Sequence, residues 1–156
     1  MSKFEVVNLA DLPAKDLARM EEIAEWHSKE VDGEEWGEIK IDWKLLMYNS
    51  AQNWIDTFLI RDENNTIQGY CFIQYGKDYH RDQINGYNSG LFIMPEYRYG
   101  MIGYNFLKYI MNNVRCNGFL EFDVRPAKDY SLLLIRLGFE VRSIHYAKPI
   151  KKVLGG

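Results

Sequence analysis

The chain has 156 residues, 47% of them hydrophobic and 15% aromatic, which suits one folded domain with a single core and argues against a disordered chain. No apolar run nears the roughly 20 residues that span a bilayer, and "MSKFEVVNLADLP" carries no signal-peptide core, so a cytoplasmic location is expected. A net charge of −3 argues against a nucleic-acid binder held by phosphate neutralisation.

Phe4 to Leu9 is predicted as a first strand. Pro13 then suits the first turn of a helix, where its missing N–H would have no partner anyway. Leu17, Met20, Ile23 or Ala24, and Trp26 or His27 recur at helical spacing, with Lys15, Arg19, Glu22 and Glu25 on the other face. A short helix from Asp42 to Tyr48 has Asp42 as its N-cap. "DTFLIR" and "IQGYCFIQY" flank "DENNT" and read as a β-hairpin. A polar loop, "KDYHRDQINGYNS", precedes a strand ending at Met94. The helix over residues 101–115 has Ile102, Phe106, Ile110 and Val114 in one stripe. "FLEFDVR" alternates as a strand, with Glu121, Asp123 and Arg125 on its polar face. Asp129 to Leu137 is a last short helix, closed by Gly138, and "FEVRS" and "HYAKPI" are predicted to complete the sheet. The order β-α-α-β-β-β-α-β-α-β-β predicts a mixed α/β domain whose helices cover a sheet, with a parallel strand–helix–strand unit at 91–125.

Charge is uneven along this order. Residues 1–50 hold twelve acids and six bases, the remainder ten and thirteen. The excess is densest in "EVDGEEWGEIKID", where Glu30, Asp32, Glu34, Glu35, Glu38 and Asp42 face only Lys40. This reads either as a solvated loop or as an electrostatic collar for a cationic partner. Cys71 and Cys116 lack metal-ligand spacing and read as free thiols, and three scattered histidines make no metal site.

"PEYRYGMIGYNFLKYI", from Pro95, places an arginine and two glycines between strand and helix. A helix N-terminus leaves about four N–H groups unpaired and carries partial positive charge. Glycine lets the backbone approach a ligand or take positive φ, and the Arg98 fork fits phosphate oxygens. The segment therefore reads as a polyphosphate pocket or, more plainly, as a tight turn with Arg98 as an exposed cap. It matches neither the nucleotide P-loop nor the dinucleotide fingerprint.

"FIMPEYRYGMIGYNFLKYI…GFLEFDVRP…LLLIRLGFE" resembles the core of GNAT-type N-acetyltransferases over about residues 55–149. "GYCFIQYGKDYHRDQ" before "LFIMPEYR" resembles, more narrowly, the small GNAT proteins of bacteriophages and prophages. The resemblance implies acetyl-CoA as the donor. Ile93 and Met94 would pair with its pantetheine amides, and Arg98, Tyr99, Gly100, Met101, Ile102 and Gly103 would form the turn around its pyrophosphate. This chain departs from the family's Q/R-x-x-G-x-G/A pattern, since Met101 stands where the first glycine is expected. The family's acid is often a tyrosine four residues before the glycine of "G-F". Here that residue is Leu134, and Tyr130, one turn earlier, can substitute or else simply pack against the helix start.

Acyl transfer to an amine also needs a base. Glu121 and Asp123 are candidates if their face opens on the acceptor cleft, and His80 is a candidate by its ordinary pKa or else an exposed loop residue. The resulting expectation is acetyl transfer to a primary amine, with the acidic stretch favouring a cationic acceptor. The alternative is a GNAT-fold protein that has lost catalysis and binds a host protein. A homodimer is compatible with either.

Overall fold

The computed structural model describes residues 2–30, 40–124, 129–148 and 150. Strand β1 (Lys3–Val7) leads through a 3-10 turn (Leu9–Asp11) to helix α1 (Ala14–Glu30) and helix α2 (Trp43–Ala51). Strands β2 (Ile55–Arg61), β3 (Ile67–Lys77) and β4 (Ile84–Ile93) follow, then a 3-10 turn (Pro95–Tyr97), helix α3 (Ile102–Asn113), strand β5 (Leu120–Glu121) and helix α4 (Ser131–Arg136). The sheet runs β1-β2-β3-β4-β5, antiparallel from β1 to β4 and parallel between β4 and β5.

Alternation along β2 and the first part of β3 sends side chains to two covered faces, so these stretches read as nearly continuous apolar runs. On one face Ile55, Leu59, Tyr70, Phe72, Phe92 and Met94 pack with Met20 and Ile23 of α1. On the other, Phe58, Ile60, Cys71 and Ile73 pack with Phe106, Leu107 and Ile110 of α3 and Leu134 of α4. The stripe predicted for α3 is thus the buried one, apart from half-buried Ile102 and Val114.

Polar contacts fix the helices to the sheet. Asp42 caps α2 by accepting from the Leu45 N–H at 3.0 Å. Asp16 is buried in α1 and receives Arg61 Nη2 at 3.0 Å, while Arg61 also grips Glu5 of β1. A charge pair withdrawn from water in this way is tolerated only when both members are fully bonded.

Three expectations differ from what the chain forms. β4 begins at Ile84, well inside the predicted polar loop. Its polar residues are accommodated because Asn85 is buried and its side-chain oxygen accepts from the Phe119 N–H at 2.9 Å and from Gln83 at 3.0 Å. β5 is limited to two residues. "FEVRS" and the described part of "HYAKPI" form no strand: Val141, Ile144 and Tyr146 are 88%, 75% and 94% exposed. An alternating apolar pattern makes a strand only against a partner edge, and β5 offers too short a one.

Asp62 closes the β2–β3 turn and also holds the turn after β4. It accepts from the N–H groups of Asn64 and Thr66 at 2.9 Å each, from Gln68 Nε2 at 2.9 Å and from the Tyr97 hydroxyl at 3.2 Å. Desolvation opposes ionisation here, but the hydrogen bonds, led by Thr66 and Gln68, outweigh it and hold the carboxyl below its usual range. The stability Asp62 contributes is therefore complete above its unfolded pKa of about 3.9 and is lost as pH falls through the lower folded value. Urea denaturation of Asp62→Asn is expected to give a flatter stability profile than wild type below about pH 4.

Candidate active site

β4 and β5 pair only at Gly86↔Leu120 and Tyr87↔Glu121. Beyond Tyr87, β4 has no strand partner on that side among the described residues. Its Met94 N–H donates to Gln68 across β3 at 2.8 Å, so by alternation the peptide groups of Ile93 and Leu91 face the open edge. The Ile93 carbonyl confirms this direction, since it accepts from Arg98 Nε at 2.6 Å on that edge.

Past Met94 the chain turns through Pro95–Tyr97 and enters α3 with no side-chain cap at Met101. The Ile102 N–H donates to the Tyr99 carbonyl at 3.4 Å, and the next N–H groups of the first turn of α3 have no side-chain cap. Gly100 has φ +59°, and a Cβ there would meet nothing within 4 Å, so backbone conformation alone calls for glycine at this place. Leu91, Ile93, Arg98, Tyr99, Gly100, Gly103, Tyr104, Phe106, Leu107, Tyr130 and Leu133 enclose a cavity of about 220 Å³. The open strand edge, the glycine turn and the helix start thus share one space. Met101 is 55% exposed and does not line it, Ile102 is half-buried, and Met94 packs under the opposite face of the sheet.

Arg98 is placed at the rim, but its fork is largely engaged. Nη1 and Nη2 grip the Glu30 carboxylate at 2.7 and 2.6 Å, Nε holds the Ile93 carbonyl, and the guanidinium lies 4.8 Å from the centre of the Phe92 ring. Three of its five N–H donors are therefore used, leaving one on each terminal nitrogen for another acceptor. Arg98 joins the end of α1 to the end of β4, and nothing in the spacing of Glu30 and Arg98 along the chain signals that contact.

Tyr130 closes the inner side of the cavity. Its hydroxyl donates to the Asp123 carbonyl at 3.1 Å and accepts from Asn88 Nδ2 at 3.2 Å. Burial pushes the phenol pKa well up, and the Asn88 hydrogen bond opposes the shift. Tyr130 is accordingly a protonated phenol at neutral pH, one that yields its proton less readily than a free phenol. Leu134, at the position where the resembled family often has tyrosine, is buried in the core.

The other candidates fall elsewhere. Glu121 and Asp123 are exposed, and neither side chain lines the cavity. Asp123 Oδ1 lies 4.0 Å from His145 Nε2. His80 sits in the β3–β4 turn, where its N–H donates to Asp78. From there β4 runs its ten residues, roughly 30 Å, to reach Ile93. Of the acidic stretch, Glu30 binds Arg98 and Asp42 caps α2, while Asp32, Glu34, Glu35 and Glu38 lie outside the described residues. Among the described residues no group of three His, Cys, Asp or Glu can hold a metal ion, and no helix is long and apolar enough to cross a membrane.

No protein-family model matches the sequence, and no curated protein does. Solved acetyltransferases match the fold. A ribosomal-protein-alanine N-acetyltransferase from Brucella melitensis biovar Abortus 2308 superposes with a TM-score of 0.73 at 8% identity, over 97% of this chain and 100% of that one. An aminoglycoside acetyltransferase from an uncultured soil metagenomic sample, in complex with sisomicin, gives 0.66 at 17% identity, over 96% and 97%. A predicted acetyltransferase from Clostridium acetobutylicum, with acetyl-CoA, gives 0.65 at 17% identity, over 96% of each chain. The chain has the mixed α/β fold of GNAT-type acetyltransferases, with the parallel β4–α3–β5 unit expected of it.

The two glycines of the turn are expected to respond oppositely to a methyl group. Gly100→Ala forces a side chain into positive φ and costs about 1–2 kcal/mol. Gly103→Ala brings a Cβ 3.4 Å from Leu133, an ordinary contact, in a helical backbone, and is neutral or stabilising by up to about 1 kcal/mol. Urea denaturation of both variants checks the pair.

Proposed function

We propose that this chain is an acetyl-CoA-dependent N-acetyltransferase acting on a primary amine. The observation that carries the reading is the shared cavity, which brings an unpaired β4 edge, an uncapped helix start and a positive-φ glycine together. Those features match the two halves of one ligand. The Leu91 and Ile93 peptide groups would take the amides of a pantetheine arm as an added strand does. The N–H groups at Gly100 to Tyr104 would take the twin phosphates, aided by the helix dipole and the two uncommitted donors of Arg98. The similar Clostridium acetobutylicum structure contains acetyl-CoA, which supports the same donor here. Met101, turned outward, leaves this turn clear.

Acetyl-CoA supplies an acyl group on a thioester. The residues of the chain would orient it, exclude water with the apolar wall of Phe106, Leu107 and Leu133, and furnish a proton from Tyr130 Oη to the departing sulfur. Glu121 or Asp123 is proposed to receive the proton of the incoming amine. His80 remains a weaker proposal, because its place in the β3–β4 turn lies a strand's length from the cavity. The acceptor is proposed to be cationic, on the acidic excess around residues 30–42, and an aminoglycoside-bound neighbour fits that class. The likeness to phage-type proteins rests on residues 69–98 of the sequence alone.

A second reading is favoured by one observation, the burial of Leu134 where the resembled family often places its acid. On that reading the fold binds a ligand or a host protein without turnover.

Isothermal titration with acetyl-CoA is expected to show one site. Gly103→Trp, which fills the cavity, should abolish binding. Arg98→Ala should weaken it about tenfold, equivalent to one charge-assisted contact of about 1.4 kcal/mol. No heat at millimolar acetyl-CoA would oppose the proposal, and binding without CoA release from a panel of amines would favour the second reading.

A further inference from the structure

Asn88 lies in the stretch that the sequence reads as a polar loop, yet its side chain joins Gly90, Cys71 and Tyr130. The β3–β4 register shifts so that Ile73 pairs with Asn88 and Phe72 with Gly90, leaving Ser89 as an extra residue in β4. Asn88 Oδ1 spans this bulge by accepting the Gly90 N–H at 2.9 Å, and it also accepts the Cys71 thiol at 3.8 Å. Cys71 is fully buried and its pKa is pushed up, so it remains a thiol and donates. Both neighbours are donors, and they settle which end of the amide is oxygen. Nδ2 must therefore be the end that faces the Tyr130 hydroxyl, 3.2 Å away.

That orientation controls the tyrosine proton. An amide NH2 has donors and no acceptor, so it fills a lone pair of the Tyr130 oxygen and cannot receive its hydrogen. The phenolic hydrogen is directed away from β4, to the Asp123 carbonyl 3.1 Å away. The bridge from Asn88 through Tyr130 to Asp123 lies where β4 and β5 separate, one residue beyond their last pair at Tyr87. Tyr130 at the same time lines the cavity. A base that reached its oxygen from the cavity would draw this hydrogen off the Asp123 carbonyl, because the Asn88 side of the oxygen is occupied by a donor.

We infer that Asn88 is a positioning residue that holds Tyr130 in its proton-donating orientation at the junction of β4 and β5. The inference rests on the acetyltransferase reading proposed above and deepens it. In the reaction Tyr130 gives its Oη proton to the departing sulfur as the C–S bond breaks and the C–N bond forms. The phenolate regains a proton from the one the amine nitrogen releases. While the oxygen is negative, the Nδ2–H bond from Asn88 strengthens, so the amide also stabilises the state in which the proton has left.

Asn88→Asp is the discriminating substitution. It keeps an oxygen for the Gly90 N–H, and so the bulge, but replaces the donor facing Tyr130 by an acceptor that captures the phenolic hydrogen. CoA release from acetyl-CoA is followed with a thiol-reactive dye, using a panel of polyamines, lysine peptides and aminoglycosides. Wild type, Asn88→Asp, Tyr130→Phe and the double variant are compared, and Asn88→Ala serves as a check on the bulge.

The expected result is a loss of kcat of about a hundredfold for both Asn88→Asp and Tyr130→Phe, with KM for acetyl-CoA within about twofold of wild type. The double variant should be no slower than either single one, because both remove the same proton transfer. Asn88→Ala, by freeing the bulge, should raise KM as well. A kcat for Asn88→Asp within twofold of wild type, or losses that multiply in the double variant, overturns the role of Asn88 while leaving the transferase reading intact. An unchanged Tyr130→Phe removes the acid it was said to position and overturns it too. A wild-type chain that binds acetyl-CoA yet releases no CoA with any amine sinks the transferase reading, and the inference with it.

Discussion

A strand that loses its neighbour must find other partners for every second peptide group, and among the described residues that loss falls on β4 beyond Tyr87. An exposed edge invites pairing with whatever extended chain arrives. Here the edge is walled on one side by α3 and blocked at its inner end by Tyr130, so only a slender ligand can use it. The parallel pairing of β4 with β5 sets this up, because a parallel partner requires a crossover, and the crossover helix α3 must start beside the end of β4. An unpaired strand edge and an unpaired helix start are thereby delivered to the same place. Neither alone specifies a ligand; together they suit one with amides at one end and phosphates at the other.

Two side-chain bridges hold the opening at its ends. At the outer end Arg98 ties Glu30 of α1 to the Ile93 carbonyl and lies against Phe92, whose ring also stacks on His27 at 5.0 Å. At the inner end Asn88, Tyr130 and Asp123 form a hydrogen-bonded chain across the separating strands. The outer bridge is half-exposed and within reach of competing anions, so its net worth is small and its arrangement can change when phosphates arrive. The inner bridge is half-buried at Asn88 and Tyr130 and opens to solvent at Asp123.

Periodicity located most of the frame, because α1, α2, β2, β3 and α3 each carry one apolar pattern that their covered faces require. Asp42 as a cap and Gly138, with φ +90°, after α4 were readable from local chemistry alone. The start of β4 was not, since Asn85 and Gly86 look like turn residues and are buried through contacts with Ile73 of β3 and with residues 116–120. The described residues 139–148 show the converse: the pattern is present, but no edge among the described residues receives it. Within the site, the glycines and helix start could be read from residues 98–103. The Glu30–Arg98 pair and the Asn88 network depend on contacts 68 and 42 residues apart, which no local pattern announces.

The central claim is that the open β4 edge and the start of α3 receive one thioester nucleotide. The most direct measurement is a crystal structure of the chain grown with CoA. The account predicts density running along Leu91 and Ile93 with amides in hydrogen-bond reach of their main chain, and two phosphates on the N–H groups between Gly100 and Tyr104. A chain saturated with CoA whose density lies elsewhere, or a β5 that zips onto β4 as far as Ile93 and removes the edge, would contradict it.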